Sequence, residues 1–379
     1  MRIYKKTRAE KNFVFSILAL FFFAALTSCK DDDESGNGGE SPPPEVTFDR
    51  SVFLEDMATE LIIPNFEALE NSTDSLALAT ENFTTDATEE NLAVLREAWV
   101  EAVTDYQHCS AFGFGPGDLT LGPFASVLGV FPVDEFEVEQ NINDENFDLV
   151  NTFSRDIRGF YTVEYLIYGK GETDAELISA FDQERKDYLT LIVDELDETF
   201  KSIVDEWNTS YLDEFISNDG TSSGSPTSLL YNEFVKDYEN MKNFKVELPA
   251  GLTAGQETVD PTLVEAYYSG ISTELIEHNF ENSKNIWYGR TRDGEDIEGF
   301  QEYLDSVEGG PDLIVTTIAA IARIDDAIAA VPEGKLSDHV ETDEVETLRN
   351  ELQDNTANFK SSMSSLLGIN ITFNSGDGD

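Results

Sequence analysis

Apolar residues return every three or four positions through most of this chain. Leu92, Leu95, Trp99, Val103 and Tyr106 form one run; Leu177, Phe181, Tyr188, Ile192, Phe200, Ile203 and Trp207 form another. That spacing lines side chains along one face of a helix, whereas a half-buried strand alternates with period two. No alternating pattern dominates, so the expected fold class is all-α. Further helices are expected over Phe53–Leu69, kinked near Pro64, over Tyr231–Phe244, up to Trp287, and over Ile314–Ala330 and Val345–Leu367. Their stripes read as core rather than as a cofactor box.

Glycine and proline mark the interruptions. Ala111–Gly117 is glycine-rich, but it lacks a Gly-Lys-Ser/Thr ending and no strand precedes it, so it is not a phosphate cradle. Asn218–Pro226 is polar and carries Gly220, Gly224 and Pro226. It reads as the linker between a domain at 47–217 and a second at 227–372.

The N-terminus reads as a targeting segment over 1–28. Arg2, Lys5, Lys6, Arg8 and Lys11 precede an apolar run from Phe13 to Leu26, short for a membrane span. Leu26-Thr27-Ser28-Cys29 resembles a bacterial lipobox, with Cys29 taking the lipid; an ordinary signal peptide with an incidental cysteine is the other reading. Lys30-Asp31-Asp32-Asp33-Glu34 resembles the signal that sends some Gram-negative lipoproteins to the outer face of the outer membrane; an acidic tether facing the periplasm is the alternative. Residues 29–46 form the tether, rich in Gly, Ser and Pro. With Cys29 acylated, Cys109 has no disulfide partner, and it reads as a small buried apolar residue.

Cleavage before Cys29 removes five basic residues and one acidic residue, taking the net charge from −52 to −56. Such a surface repels phosphates and excludes nucleic acid as a partner. The 26 Phe and 13 Tyr supply enough apolar mass for a core and argue against disorder.

Three histidines, His108, His278 and His339, form no His-Glu-x-x-His pattern, and the Gly-x-Ser-x-Gly run from Gly220 to Gly224 lies in a polar break with no strand pattern before it, so it makes no nucleophile elbow. His108 reads as a helix-end residue. The polar cluster of interest is Arg158-Gly159-Phe160-Tyr161-Thr162-Val163-Glu164. In a helix Arg158, Tyr161 and Glu164 share a face, Gly159 lets another backbone approach, and Gly169 reads as a stop. Two readings stay open: a buried trio in which Arg158 neutralises Glu164, or a ligand site.

This stretch resembles the Gly-x-His-x-x-Glu motif of the imelysin-like proteins, in its context Gly-Phe-His-x-x-Glu-Tyr-Leu-x-x-Gly. Gly159, Phe160, Glu164, Tyr165, Leu166 and Gly169 match, and Tyr161 replaces the histidine. Phe114-Gly115-Pro116, Pro132-Val133-Asp134, Lys242-Asn243-Phe244, Val264–Gly270 and Gly299-Phe300 extend the likeness. The resemblance implies two helical-bundle halves packed together with a site at their interface. It implies Arg158, Gly159, Tyr161 and Glu164 as ligand-binding, with Asp134, Glu137, Glu139, Glu265, Tyr268 and Ser269 facing them.

In the family the motif suggests a metal or ligand site. Tyr161 and Glu164 would suit a hard cation such as iron or another divalent or trivalent ion, with zinc less favoured. The function expected is a non-enzymatic lipoprotein that binds a ligand in iron or haem uptake, with uptake proteins as partners and the membrane held through Cys29. An imelysin-type metallopeptidase and a structural or adhesion lipoprotein with a decayed site are the competing readings.

Overall fold

The computed structural model describes residues 48–149, 153–256 and 258–373. The expectations for the signal segment, Cys29, the tether and the tail from Asn374 fall outside these residues. Val46–Asp379 forms one compact unit.

The described residues are overwhelmingly helical, as the apolar periodicity requires. In order run α1 (Arg50–Asp56), α2 (Ile63–Thr85), α3 (Glu89–Gln107), α4 (Ala125–Leu128), α5 (Glu135–Asn143), α6 (Gly159–Tyr168), α7 (Asp174–Ser179), α8 (Gln183–Glu206) and α9 (Leu212–Ser217). After the Asn218–Ser225 break come α10 (Pro226–Asn240), α11 (Ser272–Tyr288), α12 (Phe300–Asp305), α13 (Gly310–Ala330), α14 (Asp343–Thr356) and α15 (Ser364–Leu367). A two-residue antiparallel pair, β1 (Asp118–Leu119) with β2 (Gly122–Pro123), lies inside the expected irregular region.

Local chemistry sets these ends. Thr88 accepts from Asn91 N and Asp134 from Glu137 N, each satisfying an amide that a helix start leaves open. Pro226 opens α10, where a missing N–H costs nothing.

One expectation needs correction. The apolar stripe from Leu177 to Trp207 belongs to two helices, because Asp182 caps a new start by accepting from Arg185 N. The helix through Pro64 passes through a π-helical segment, Met57–Ile62, immediately before α2. There Pro64 falls in the first turn of α2, where the wider upstream segment already breaks the ordinary hydrogen-bond ladder.

Similar π-helical segments occur at Trp207–Tyr211, Met241–Glu247 and Ala357–Met363. α2 packs against α3 and α8, α6 lies on α3 and α8, and α13 pairs with α14. α11 crosses to α3, and α1 touches α9 and α10. Trp99, Trp207 and Trp287 are fully buried, and Cys109 is buried among them in the core as expected. No helix among the described residues is long and apolar enough to cross a membrane.

Candidate functional site

Helix α6 and the residues just before it are held by α3 and α8. Trp99 Nε1 donates to Phe160 O at 2.8 Å, Tyr188 Oη to Ile157 O at 3.0 Å, and Arg96 Nε to Ile167 O at 2.9 Å. Gly159 adopts φ +77°, and a β-carbon there would sit 2.0 Å from Leu128 O. The backbone whose approach the glycine permits is therefore the end of α4. Gly169 ends α6 at φ +67°.

The three polar residues of the motif do not act as one group. Arg158 caps α6 in extended backbone, and its Nη1 pairs with Glu195 Oε1 on α8 at 2.8 Å. Its guanidinium faces a groove of about 820 Å³ between α8 and the loop around Leu121. Of the two open readings, the one in which Arg158 neutralises Glu164 is not the pairing seen: Arg158 pairs with Glu195. The reason is positional: as the residue before the helix, Arg158 lacks the helical backbone that would align it with Tyr161.

Tyr161, buried, donates its hydroxyl to Glu265 Oε1. Gln107 Nε2 reaches both, at 3.4 Å from the hydroxyl and 3.2 Å from Glu265 Oε1. Lys245 Nζ closes the network, 2.6 Å from Gln107 Oε1 and 3.1 Å from Glu265 Oε2. Burial, and then the Glu265 charge, push the Tyr161 phenol well above its usual range, so it stays a neutral donor.

Beside it Asp237 accepts from Asn279 Nδ2 at 2.6 Å. Burial raises its carboxyl to about 6, against the opposing pull of Lys245. Glu265, Lys245, Asp237, Tyr106 and Phe131 line a cavity of about 390 Å³. Phe131 lies edge-on to the Tyr161 ring, 5.3 Å between centroids.

Glu164 faces the same incoming loop. Its Oε1 accepts from Ser269 N at 2.7 Å. Burial raises it to about 7, offset in part by the Ser269 and Tyr268 hydrogen bonds. The expected acidic residues of α5 lie further out. Asp134 serves as a helix cap, Glu137 accepts from Ser154 Oγ at 3.0 Å, and Glu139 accepts from Tyr165 Oη at 2.7 Å while pairing with Arg185. Tyr268 donates to Glu135, the first residue of α5, at 2.8 Å.

Of the expected site residues, then, Tyr161 meets Glu265, and Glu164 meets Ser269. Gln107, Lys245, Asp237 and Asn279 complete the cluster. They were missed because they come from distant helices and stand in no motif; the one signal was their polarity inside otherwise apolar helical stripes.

Tyr161 and Glu164 have different partners, and the Tyr161 proton is committed to Glu265 beside the cationic Lys245. As arranged, the pair does not fit the hard-cation site considered for it. Among the described residues no three His, Cys, Asp or Glu side chains group as metal ligands.

Away from this cluster His108 Nε2 lies 3.3 Å from His278 Nδ1. His108 ends α3 as expected. Burial lowers its imidazole to about 4, aided by Arg292 and His278.

The family model described as Peptidase_M75: Imelysin matches residues 62–363. No curated protein matches the chain. Among solved structures, one described as an iron-regulated protein A precursor from Parabacteroides distasonis ATCC 8503 is 19% identical, with a TM-score of 0.71 over 87% of this chain and 97% of that one. An imelysin-like protein from Psychrobacter arcticum 273-4 is 17% identical, with a TM-score of 0.66 over 86% of this chain and 97% of that one. At these identities the likeness shows a shared, imelysin-like fold.

Proposed function

The chain belongs to the imelysin family, and on that premise we propose that it is a lipid-anchored binding protein, not a peptidase. In this reading the cavity beside Tyr161 takes a small polar ligand, at the boundary of helical halves 47–217 and 227–372. The observation that carries it is the buried cluster of Glu265, Lys245 and Asp237 on the cavity wall.

Burying three ionisable groups does not favour a fold. Apolar side chains of equal volume are often as stabilising or more so. A cluster of this kind next to open space is accounted for by a ligand it meets. With Asp237 ionised, two carboxylates, Lys245 and Arg155 line the cavity, a balanced set of charges that suits a polar ligand with both hydrogen-bond donors and acceptors.

Iron enters through the name of the Parabacteroides relative. Applied to this chain, it makes a small iron-linked ligand the first candidate, with haem, larger and mostly apolar, the second. Cys29 would anchor the protein in the outer membrane facing the cell surface, where uptake proteins would be its partners. Against a metallopeptidase stands Tyr161, whose phenol replaces the motif imidazole and is already bonded to Glu265.

The test is equilibrium binding of ferric citrate and of haemin to the mature chain, beside Glu265→Gln and a casein-cleavage assay. Binding of one of them, at least tenfold weaker in Glu265→Gln at an unchanged melting midpoint, supports the reading. Failure of both ligands to bind, with casein cleaved in a Glu265-dependent manner, establishes the peptidase instead.

A further inference from the structure

The two histidines left out of that reading, separated by 170 positions in sequence, meet on the wall of a cavity of about 600 Å³. His108 comes from the end of α3 and is nearly buried, whereas His278, on α11, is half-buried. Their facing nitrogens, Nε2 of His108 and Nδ1 of His278, are 3.3 Å apart, and the ring centroids are 5.3 Å apart at 69°.

These distances discriminate between two arrangements. A straight N–H···N bond of this length between imidazoles would hold the centroids about 5.6 Å apart, since each nitrogen lies roughly 1.15 Å from its ring centre and the contact is already long for a hydrogen bond. Two imidazoles bound to one tetrahedral cation at about 2.0–2.1 Å have nitrogens about 3.3–3.4 Å apart and centroids about 5.2 Å apart. The observed pair matches the second set.

We propose that His108 and His278 form a binding site for a divalent late first-row transition cation, with Zn²⁺ the best fit to the geometry. Imidazole nitrogen suits these ions and is a poor ligand for Mg²⁺ or Ca²⁺. The cation takes the lone pairs of the two facing nitrogens. The ring protons then reside on Nδ1 of His108 and Nε2 of His278.

Since no three ligands are grouped in advance among the described residues, the remaining positions go to water or to Glu281. That carboxylate lies three residues beyond His278 and lines the same cavity. It now pairs with Lys284 at 2.7 Å, but Lys284 also holds Asp325 at 2.8 Å, so Glu281 is released without stranding a cation. Arg292 and Arg290 line the cavity too; Asp105 takes up the charge of the first, and the second lies over the Tyr288 ring, with Asp296 in the same lining. The site shares no side chain with the Tyr161 cluster and stands whatever that cluster binds.

The test is titration of the mature chain with Zn²⁺ in the presence of millimolar Mg²⁺, which occupies the carboxylate-rich surface. Co²⁺ absorption serves as a second readout. One Zn²⁺ equivalent is expected to survive Mg²⁺ and to give intense four-coordinate Co²⁺ bands. His278→Ala, at a half-buried position, should weaken binding at least tenfold and abolish the bands, while His339→Ala should leave both unchanged. If His278→Ala binds Zn²⁺ as tightly as the parent, or if no Zn²⁺ survives Mg²⁺, the proposal fails.

Discussion

Tyr161 on α6 donates its hydroxyl proton to Glu265, 104 positions further along the chain. That contact ties the motif helix to the loop preceding α11. In Tyr161→Phe, Glu265 Oε1 keeps only Gln107 Nε2. The loss of one buried bond to a charged acceptor should cost about 1–3 kcal/mol. A lower urea midpoint with an unchanged slope is the expected record; an unchanged midpoint would mean that the bond contributes nothing net.

Glu164 gives the fold a pH dependence. The unfolded chain releases this proton near the usual 4.5, the folded chain near 7. Between these values the folded state holds the extra proton, so stability falls as pH rises through that window and levels off above it. The contribution is about 3 kcal/mol at most. Glu164→Gln still accepts from Ser269 N but has no proton to hold. Measured by urea unfolding, its stability relative to the parent should therefore rise between pH 5 and pH 8. Equal differences at both pH values would contradict this.

Arg158 and Glu195 should be coupled, and Arg158 and Glu164 should not. Arg158→Ala leaves Glu195 largely buried and unpaired, a loss of roughly 3–5 kcal/mol by analogy with other buried pairs, moderated because Glu195 retains some exposure. A double-mutant cycle with Glu195→Ala should return a clear interaction energy, and one with Glu164→Ala should be additive within about 0.5 kcal/mol. The reverse pattern would restore the pairing expected from the motif spacing.

Gly159→Ala combines φ +77° with a β-carbon 2.0 Å from Leu128 O. The neighbour is backbone and cannot swing aside. A loss of roughly 3 kcal/mol or more is expected, seen as a collapse of the melting midpoint or of soluble yield. A protein that melts like the parent would show that α4 can shift.

Cys29 lies outside the described residues, and its acylation is tested by fractionation. Cys29→Ser should release the protein from membranes. A fully processed and still membrane-bound variant would contradict the lipid anchor.

Helix content was legible because apolar spacing is a local property, and the breaks at Ala111–Gly117 and Asn218–Pro226 were legible from Gly and Pro. The cap at Asp182 was not, because the apolar stripe runs on in phase across it. At the site, Tyr161, Glu164 and Glu265 were named from the motif and its likeness. The partner of Arg158 was not legible, because three-residue spacing implies a shared face only when all three residues are helical. Lys245 and Gln107 join the cluster from far along the chain, and the meeting of His108 with His278 depends on α3 crossing α11. No local pattern encodes such encounters.

The π-helical segment Met241–Glu247 carries a consequence for Lys245. Such a segment holds one residue more than an α-helical path of the same span, and every side chain after it is turned by roughly 100° relative to an uninterrupted helix. Lys245 lies within the segment and meets Gln107 and Glu265 from there. Removing a single residue between Met241 and Phe244 would let the helix close regularly while swinging the ammonium away from both. The cluster thus depends on the number of residues in the chain as well as on their identities, and a relative with the same side chains but one fewer position here would have a different cavity.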